Sequence, residues 1–213
     1  MTLIVLTAAS DRNLTTLAAV KARLGIDSLD EDPFLQAEIA RQSAVVQEHL
    51  GIVFAQDGTR TMARETLQET FRATRPQRFL RTARRPVSAV ASVVENEITL
   101  DPAAYEFDAR AGVLSRLYEG WPSAWCGRSI VVTYTAGWVL PGAAGANLPS
   151  EIETAVIEMV KAAREARFRD PMVRSESSAQ VGSVSYLDPR AGMEAMPPQA
   201  AALLAPYMDG PRL

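Results

Sequence analysis

The spacing of apolar residues changes along the chain, and the change marks out a middle stretch of strand-forming sequence. From about residue 59 to residue 138, β-branched and aromatic residues alternate with polar ones, most clearly in residues 130–134, 105–107 and 113–117 and among the valines at 87–94. Alternation of this kind is typical of strands. Four prolines, which cannot donate to a central sheet ladder, divide the stretch: Pro76, Pro86, Pro102 and Pro122. We predict a small antiparallel lobe of about four or five short strands.

A helical period precedes this stretch. Leu17, Val20 and Leu24 share one helical face, Thr15 is placed to cap the helix, and Gly25 follows it as a residue that tolerates a left-handed stop. The acidic residues 27–32 then lead into a second helix from about residue 33 to residue 50, with Asp32 as the predicted N-cap. Two helices joined by a short acidic turn predict a helical hairpin.

A third helix is predicted after residue 149, and a tail of different composition follows it. Ser150 and Glu153 have the spacing of a capping box, in which each side chain binds the other residue's backbone N–H. Beyond Pro171 the chain is rich in Ser, Gly, Ala, Pro and Met, with one short extended segment near Val184 and a short helix at about residues 200–207. Such a tail buries little apolar surface, so we expect it to order on a partner.

These segments predict an α+β fold that is mainly helical. Residues 1–58 and 139–170 would form a helical body, consisting of the hairpin and the capped third helix. Residues 59–138 would form the inserted small antiparallel β lobe, and residues 171–213 an extended C-terminal tail for partner docking.

The residues that most catalytic and metal sites require are scarce, so the sequence predicts a protein that is not an enzyme and has no cofactor. Of 213 residues, His49 is the one histidine and Cys126 the one cysteine. A single cysteine excludes an intramolecular disulfide and CxxC motifs, and its apolar context predicts a small core residue. The acidic run at 27–32 lacks the alternating ligands of a calcium loop, and no glycine-rich phosphate loop is present. No metal site is predicted.

Positive charge is concentrated between residues 60 and 85. The chain has a net charge of −3, yet this stretch holds eight arginines against Glu65 and Glu69. One interpretation is a strip that faces phosphate or an acidic partner. The other is an exposed strand whose arginines prevent edge-to-edge aggregation. On the first interpretation, the candidates for contact with DNA are Arg72, Arg75, Arg78 and Arg81.

In this order, the predicted elements resemble the head–tail connector (head-completion adaptor) family of tailed phages and gene transfer agents. The resemblance covers roughly residues 14 to 187. It rests on residues 17–24 with the acidic turn, Phe34-Leu35, Arg85-Pro86-Val87, Tyr105, Gly112-Val113-Leu114, residues 132–138, Leu148-Pro149 and the third helix.

The resemblance implies a structural adaptor at the head–tail junction of a virion, assembled in the host cytoplasm. Such proteins form a ring beneath the capsid portal, extend the DNA channel and support the stopper or tail-completion protein. We therefore expect a ring of about twelve copies, the portal and the stopper as partners, transient non-specific DNA contact, and no membrane. The candidates for docking to the portal are Val181, Val184, Tyr186, Leu203, Leu204 and Tyr207.

Two other classes stay open from the sequence. One is a stopper or tail-completion protein, although the predicted helices do not favour it. The other is a DNA-binding packaging accessory that uses the arginine strip and whose DNA affinity falls steeply with salt.

Overall fold

Four α-helices and eleven strands form the parts of the chain that the structure describes. The structure is a computed structural model, and it describes residues 2–167, 175–178, 182–185 and 196–208. The helices are α1 (Leu17–Leu24), α2 (Asp32–His49), α3 (Ser150–Arg167) and α4 (Pro198–Met208). The strands are β1 (Thr2–Thr7), β2 (Glu65–Arg72), β3 (Phe79–Arg81), β4 (Val87–Glu95), β5 (Ile98–Thr99), β6 (Tyr105–Asp108), β7 (Val113–Tyr118), β8 (Trp121–Ser123), β9 (Ser129–Ala136), β10 (Ser175–Ser178) and β11 (Gly182–Ser185).

The strands form three antiparallel sheets among the described residues. The first sheet has five strands in the order β1-β2-β9-β4-β5, so that β9 is central. The second has the order β3-β7-β6, with β8 also paired to β7. The third is the β10–β11 pair. The first two sheets share one apolar core, to which Leu67 and Val132 of the first sheet and Leu114 of the second contribute.

The prediction of a mainly helical fold is wrong. The protein is α+β with 32% helix and 30% strand. Eight strands, rather than four or five, lie between residues 65 and 136, and β1 adds a strand at the N-terminus. The signal was missed because β1 is apolar on both faces, while β2 turns Glu65 and Glu69 towards the core and hides the usual polar-out alternation.

The helices share a separate apolar core. Val20, Leu35, Val46, Val156 and Leu204 are buried together in it, which places one apolar stripe of each helix against the others. α4 packs on α3, and α3 packs on α2 and α1. No helix among the described residues is long and apolar enough to span a membrane.

The helix ends correct three details of the sequence prediction. The N-cap of α1 is Thr16, whose side chain accepts from the Ala19 N–H at 3.1 Å, and not Thr15. α2 begins at Asp32 with Glu31 at the cap position and without a side-chain cap. The predicted capping box of α3 does not form, because the Glu153 carboxylate accepts instead from the Thr15 hydroxyl at 3.0 Å. The stop at Gly25 is confirmed, with φ 65°.

Gly137 lies where the first sheet meets the helices. Its φ of 107° is one that side chains rarely adopt, and a Cβ there would clash with the backbone of Ala63. Its N–H donates to the Pro86 carbonyl at 2.9 Å, and the neighbouring Trp138 N–H donates to Met62 at 2.8 Å. A glycine is therefore required for the close approach of these two backbone segments.

Candidate functional site

The arginines of the 60–85 stretch separate into exposed and buried groups. Arg64, Arg72, Arg75 and Arg78 are exposed, Arg60, Arg81 and Arg85 are half-buried, and Arg84 is buried. The predicted DNA contacts are therefore three exposed side chains and the half-buried Arg81. The four residues occupy different positions in the fold. Arg72 is the last residue of β2, Arg75 and Arg78 lie in the connection to β3, and Arg81 is the last residue of β3.

Arg72 lies beside Arg128, which is not among the four predicted DNA contacts. Arg72 pairs with Ser129 in the β2–β9 ladder, and the Ala73 N–H donates to the Arg128 carbonyl at 3.2 Å. Both arginines line an open cleft of about 520 Å³, together with Thr74, Asn96, Glu97 and Ser129. Arg128 is distant from Arg72 in sequence, so only the register of β2 against β9 brings the two charges together.

Glu95 holds the segment that carries Arg128. Its Oε1 accepts from the Gly127 N–H at 2.7 Å and the Cys126 N–H at 3.1 Å, while Oε2 accepts from Arg116 Nε at 3.1 Å. A Cβ at Gly127 would lie 2.5 Å from Glu95 Cγ, so the contact needs a glycine. The hydrogen bonds to Glu95 fix the backbone next to Arg128, while the side chain of Arg128 is exposed.

Arg78 faces a different cleft from Arg72. This second cleft has a volume of about 400 Å³ and is also lined by Phe79, Arg116 and Pro122. The chain segment from β2 to β3 runs between the two clefts, and Gln77 in this segment exchanges backbone hydrogen bonds with Trp125 at 3.1 and 2.7 Å. The four predicted arginines therefore follow one connection but do not converge on one cleft.

Arg81 lies close enough to Arg85 for their charges to interact. Burial, and then the positive charge of Arg81, lower the pKa of the Arg85 guanidinium. β3 is an edge strand of the second sheet, whereas β2 lies between β1 and β9. Protection of a sheet edge can thus account for Arg78 and Arg81 beside β3. It also applies to Arg72, which lies beyond Thr70, the last residue of β2 that pairs with β1.

Arg84 and Arg60 have structural partners. Arg84 is 4% exposed, donates from Nε to the Val53 carbonyl at 3.1 Å and from Nη1 to the Thr61 carbonyl, and lies 3.8 Å from Glu65 Oε2. Burial lowers the pKa of Arg84, although the Glu65 charge opposes that shift. Arg60 stacks on Phe54 at 4.5 Å and pairs with Glu48 at 3.2 Å.

The candidates for portal docking fall partly outside the described residues. Val181 and Tyr186 are not described, and Val184 is described only as a backbone position in β11. Leu203, Leu204 and Tyr207 lie on α4, and Leu204 is completely buried in the helical core. Tyr207 donates its hydroxyl to Glu151 at 3.1 Å. In this structure α4 therefore packs on the helices of its own chain.

Cys126 is exposed, so the prediction of a core cysteine is wrong. The N–H groups of Cys126 and Gly127 bind Glu95, a long-range contact that local apolar context does not reveal. His49 ends α2, and its buried Nε2 has no hydrogen-bond partner among the described residues. No group of three or more metal-ligating side chains occurs in the described ranges.

Exposed arginines and exposed apolar side chains on a two-sheet and helical scaffold are features of a binding and assembly protein. The sequence profile of the head completion protein family matches residues 13–208. The chain belongs to this family, which confirms the resemblance to head–tail connectors.

Solved structures with the same fold come from gene transfer agent (GTA) particles. A chain in the neck of a native GTA particle, computed with C12 symmetry, matches with a TM-score of 0.53 and 17% identity over 97% of this chain and 94% of that one. A chain in the neck of an empty GTA particle, computed with C6 symmetry, gives 0.58 and 16% over 97% and 95%. A chain in the virion of the native particle gives 0.59 and 17% over 97% and 95%. No curated protein matches the sequence at a significant level.

Proposed function

We propose that this chain is a structural adaptor at the head–tail junction of a tailed phage or gene transfer agent. In this role it forms a ring of about twelve copies beneath the portal, extends the DNA channel and supports the stopper or tail-completion protein. The observation that carries the proposal is the family match over residues 13–208. The fold shared with chains of GTA necks supports it, since one of those necks was computed with C12 symmetry.

Cryo-electron microscopy of the particle tests the proposed position. We expect ring density for this chain between portal and tail, and particles made without the protein should contain DNA-filled heads that fail to join tails. Density for this chain away from the portal–tail axis would contradict the proposal.

The arginines at the end of β2 and in the following connection supply the proposed DNA contact. Arg72, Arg75 and Arg78 are exposed and have no ion-pair partner among the described residues. Arg128, which lines the same cleft as Arg72, adds a further exposed positive charge. A channel that DNA must slide through needs contacts to phosphate that do not depend on base sequence, and arginine provides them. Arg81 completes the candidate set at the end of β3.

Replacement of Arg72, Arg75, Arg78 and Arg81 by Gln tests this contact. We expect a folded protein that still enters particles but impairs DNA retention or release. The control replaces Arg12, Arg23, Arg64 and Arg110, which are all exposed, by Gln and removes the same charge. Normal infectivity or gene transfer in the first variant, or equal losses in both, would refute a specific channel role. Steep, salt-dependent DNA binding by the isolated monomer would instead favour the packaging-accessory function.

We assign portal docking to the tail that contains Val181, Val184 and Tyr186. Deletion of residues 171–213 is a poor test, because it would also remove Leu204 from the helical core. Replacement of Val181, Val184 and Tyr186 by Ser leaves α4 in place. This variant should keep its melting temperature and no longer co-purify with the portal. Unchanged co-purification would contradict the assignment.

A further inference from the structure

The outer face of the five-stranded sheet carries almost no charge. The charged residues of its five strands are Glu65, Glu69, Arg72 and Glu95. Glu65 and Glu69 are buried on the inner face, and Glu95 binds Arg116 of the second sheet. Arg72 alone remains for the outer face, at the very end of β2.

Uncharged side chains cover the rest of that outer face. Since side chains alternate along a strand, the partners of the buried inner residues turn outward. They include Ile4 and Leu6 of β1, Thr66, Gln68 and Thr70 of β2, and Val131, Thr133 and Thr135 of β9. Ile4 is 37% exposed and Leu6 52% exposed. The helices build their own core, and none of those described packs across this face.

Such a face is unusual for a surface that meets only water. The design target for a soluble surface is roughly 25–35% charged residues, whereas this face has Arg72 alone, at its edge. The centres of protein–protein interfaces, in contrast, are depleted of charge. The five strands have 6, 8, 8, 9 and 2 residues, and at about 3.3 Å per residue and about 4.8 Å between strands they present roughly 500 Å². That area approaches the ~800 Å² which each partner contributes to a typical specific interface.

The opposite layer of the protein presents two exposed aromatic side chains. Trp121 is 77% exposed and Tyr118 is 66% exposed, and they face each other across the β7–β8 pair. Their turn is formed by Glu119 and Gly120, both with positive φ. The second sheet packs on the inner face of the first through Leu114 and Trp125. The hairpin therefore lies in the layer that faces away from the uncharged outer face.

A ring requires two different surfaces on each copy, one for each neighbour. An uncharged, threonine-rich sheet and a projecting aromatic pair are complementary in chemistry, because Trp and Tyr bury apolar area while their N–H and O–H groups bond to hydroxyls. We propose that the outer face of the five-stranded sheet binds a second copy of this chain through the β7–β8 hairpin of that copy. The inference rests on the proposed ring.

Placing a charge in the centre of the face tests the contact. Thr133 is half-buried on β9, the central strand, so Thr133→Lys adds a charge to the proposed interface without entering the core. We expect the melting temperature to stay unchanged and the yield of portal-bound rings in electron micrographs to fall at least tenfold. The Tyr118→Ser/Trp121→Ser variant should show the same loss. The control Ala22→Lys, at an exposed position of α1 outside both proposed surfaces, should form rings normally.

Cysteine cross-linking tests the same contact between copies if Thr133→Lys fails to fold. In a Cys126→Ser background, Thr133→Cys with Trp121→Cys should give a ladder of covalent oligomers when a short bifunctional thiol reagent is added to assembled rings. Each single-cysteine variant should give no ladder. Assembled rings of the Thr133→Cys/Trp121→Cys variant that yield no ladder, or normal rings from folded Thr133→Lys, would overturn this interface and leave the ring intact. A wild-type protein absent from the portal–tail axis would instead refute the proposed function.

Discussion

The helical core and the two-sheet core of this protein differ in the side chains that they bury. The helical core buries mainly apolar side chains, with the polar Ser43 and Gln47 among them, and the buried carboxylate of Glu38 pairs with the exposed Arg41. Other ion pairs lie at its rim: Lys21–Asp32 at 2.7 Å, Arg164–Glu31 at 2.6 Å and Arg23–Glu158 at 3.6 Å. The two-sheet core contains charge. Glu65, Glu69 and Arg84 are each at most 4% exposed, and Tyr134 donates to Glu69 at 2.8 Å.

The difference shows where one side chain can control the stability of the fold. An exposed ion pair contributes little, because water and salt screen it. A buried charge that loses its partner cannot be resolvated and destabilises the protein strongly. Arg84 also holds the chain between α2 and β2 through the Val53 and Thr61 carbonyls, so it joins a long loop to the sheets.

The largest effect is expected from Arg84→Ala. This change leaves the Glu65 carboxylate buried without its cation and removes the donors to two carbonyls. The free energy of unfolding should fall by about 4 kcal/mol, as measured by chemical denaturation. The control Arg78→Ala, at an exposed position, should be nearly neutral. A loss below about 1 kcal/mol for Arg84→Ala would mean that the buried charges are not coupled.

A purely apolar change in the helical core should cost somewhat less. Leu35 is fully buried, so Leu35→Ala should lower the free energy of unfolding by about 3 kcal/mol through lost burial and a cavity. Leu29 is 74% exposed, and Leu29→Ala should change the free energy of unfolding little. Equal denaturation curves for the two variants would show that α2 does not pack in solution as it does in the structure.

The pH dependence of stability should report Glu69. Burial raises the pKa of Glu69, although hydrogen bonds from the Ala83 N–H and Tyr134 oppose the shift. The folded state therefore binds this proton more tightly than the unfolded chain does. The stabilisation is fully present below the pKa of an unfolded glutamate and is lost as pH rises through the higher folded value.

Comparison with Glu69→Gln isolates this contribution, because glutamine stays neutral and its oxygen can still accept from Tyr134. Relative to the variant, the wild type should lose stability as pH rises through that range. The measurement is the free energy of unfolding of both proteins between acid and neutral pH. Parallel curves would show that Glu69 keeps an ordinary pKa in the folded protein.

The smallest effect is expected from Arg164→Gln at the rim of the helical core. Glu31 and the guanidinium form a close pair, and the hydrogen bond from Arg164 lowers the pKa of Glu31. The pair is accessible to solvent, so its loss should shift the denaturation midpoint slightly at low salt and not at all at high salt. A large shift that persists in high salt would remove the distinction between the two cores.

Much of the local structure could be predicted from the sequence. The four predicted helices, the stop at Gly25 and the strands at residues 87–95, 105–108, 113–118 and 129–136 are confirmed. Each of these depends on side-chain periodicity or on the conformational freedom of one residue, which are properties of neighbouring positions. The head-completion family could be recognised for the same reason, since the order of such elements is written along the chain.

Tertiary structure alone decided which charges are buried and which are exposed. Glu65 and Glu69 are buried because the second sheet packs on the face of β2 that carries them, and Arg84 is buried because the loop after α2 supplies carbonyls for it. The β2–β9 register likewise places Arg128 beside Arg72. These contacts join residues that are far apart in sequence, whereas periodicity reports only which side of a helix or strand a residue occupies. What that side faces depends on how the elements pack.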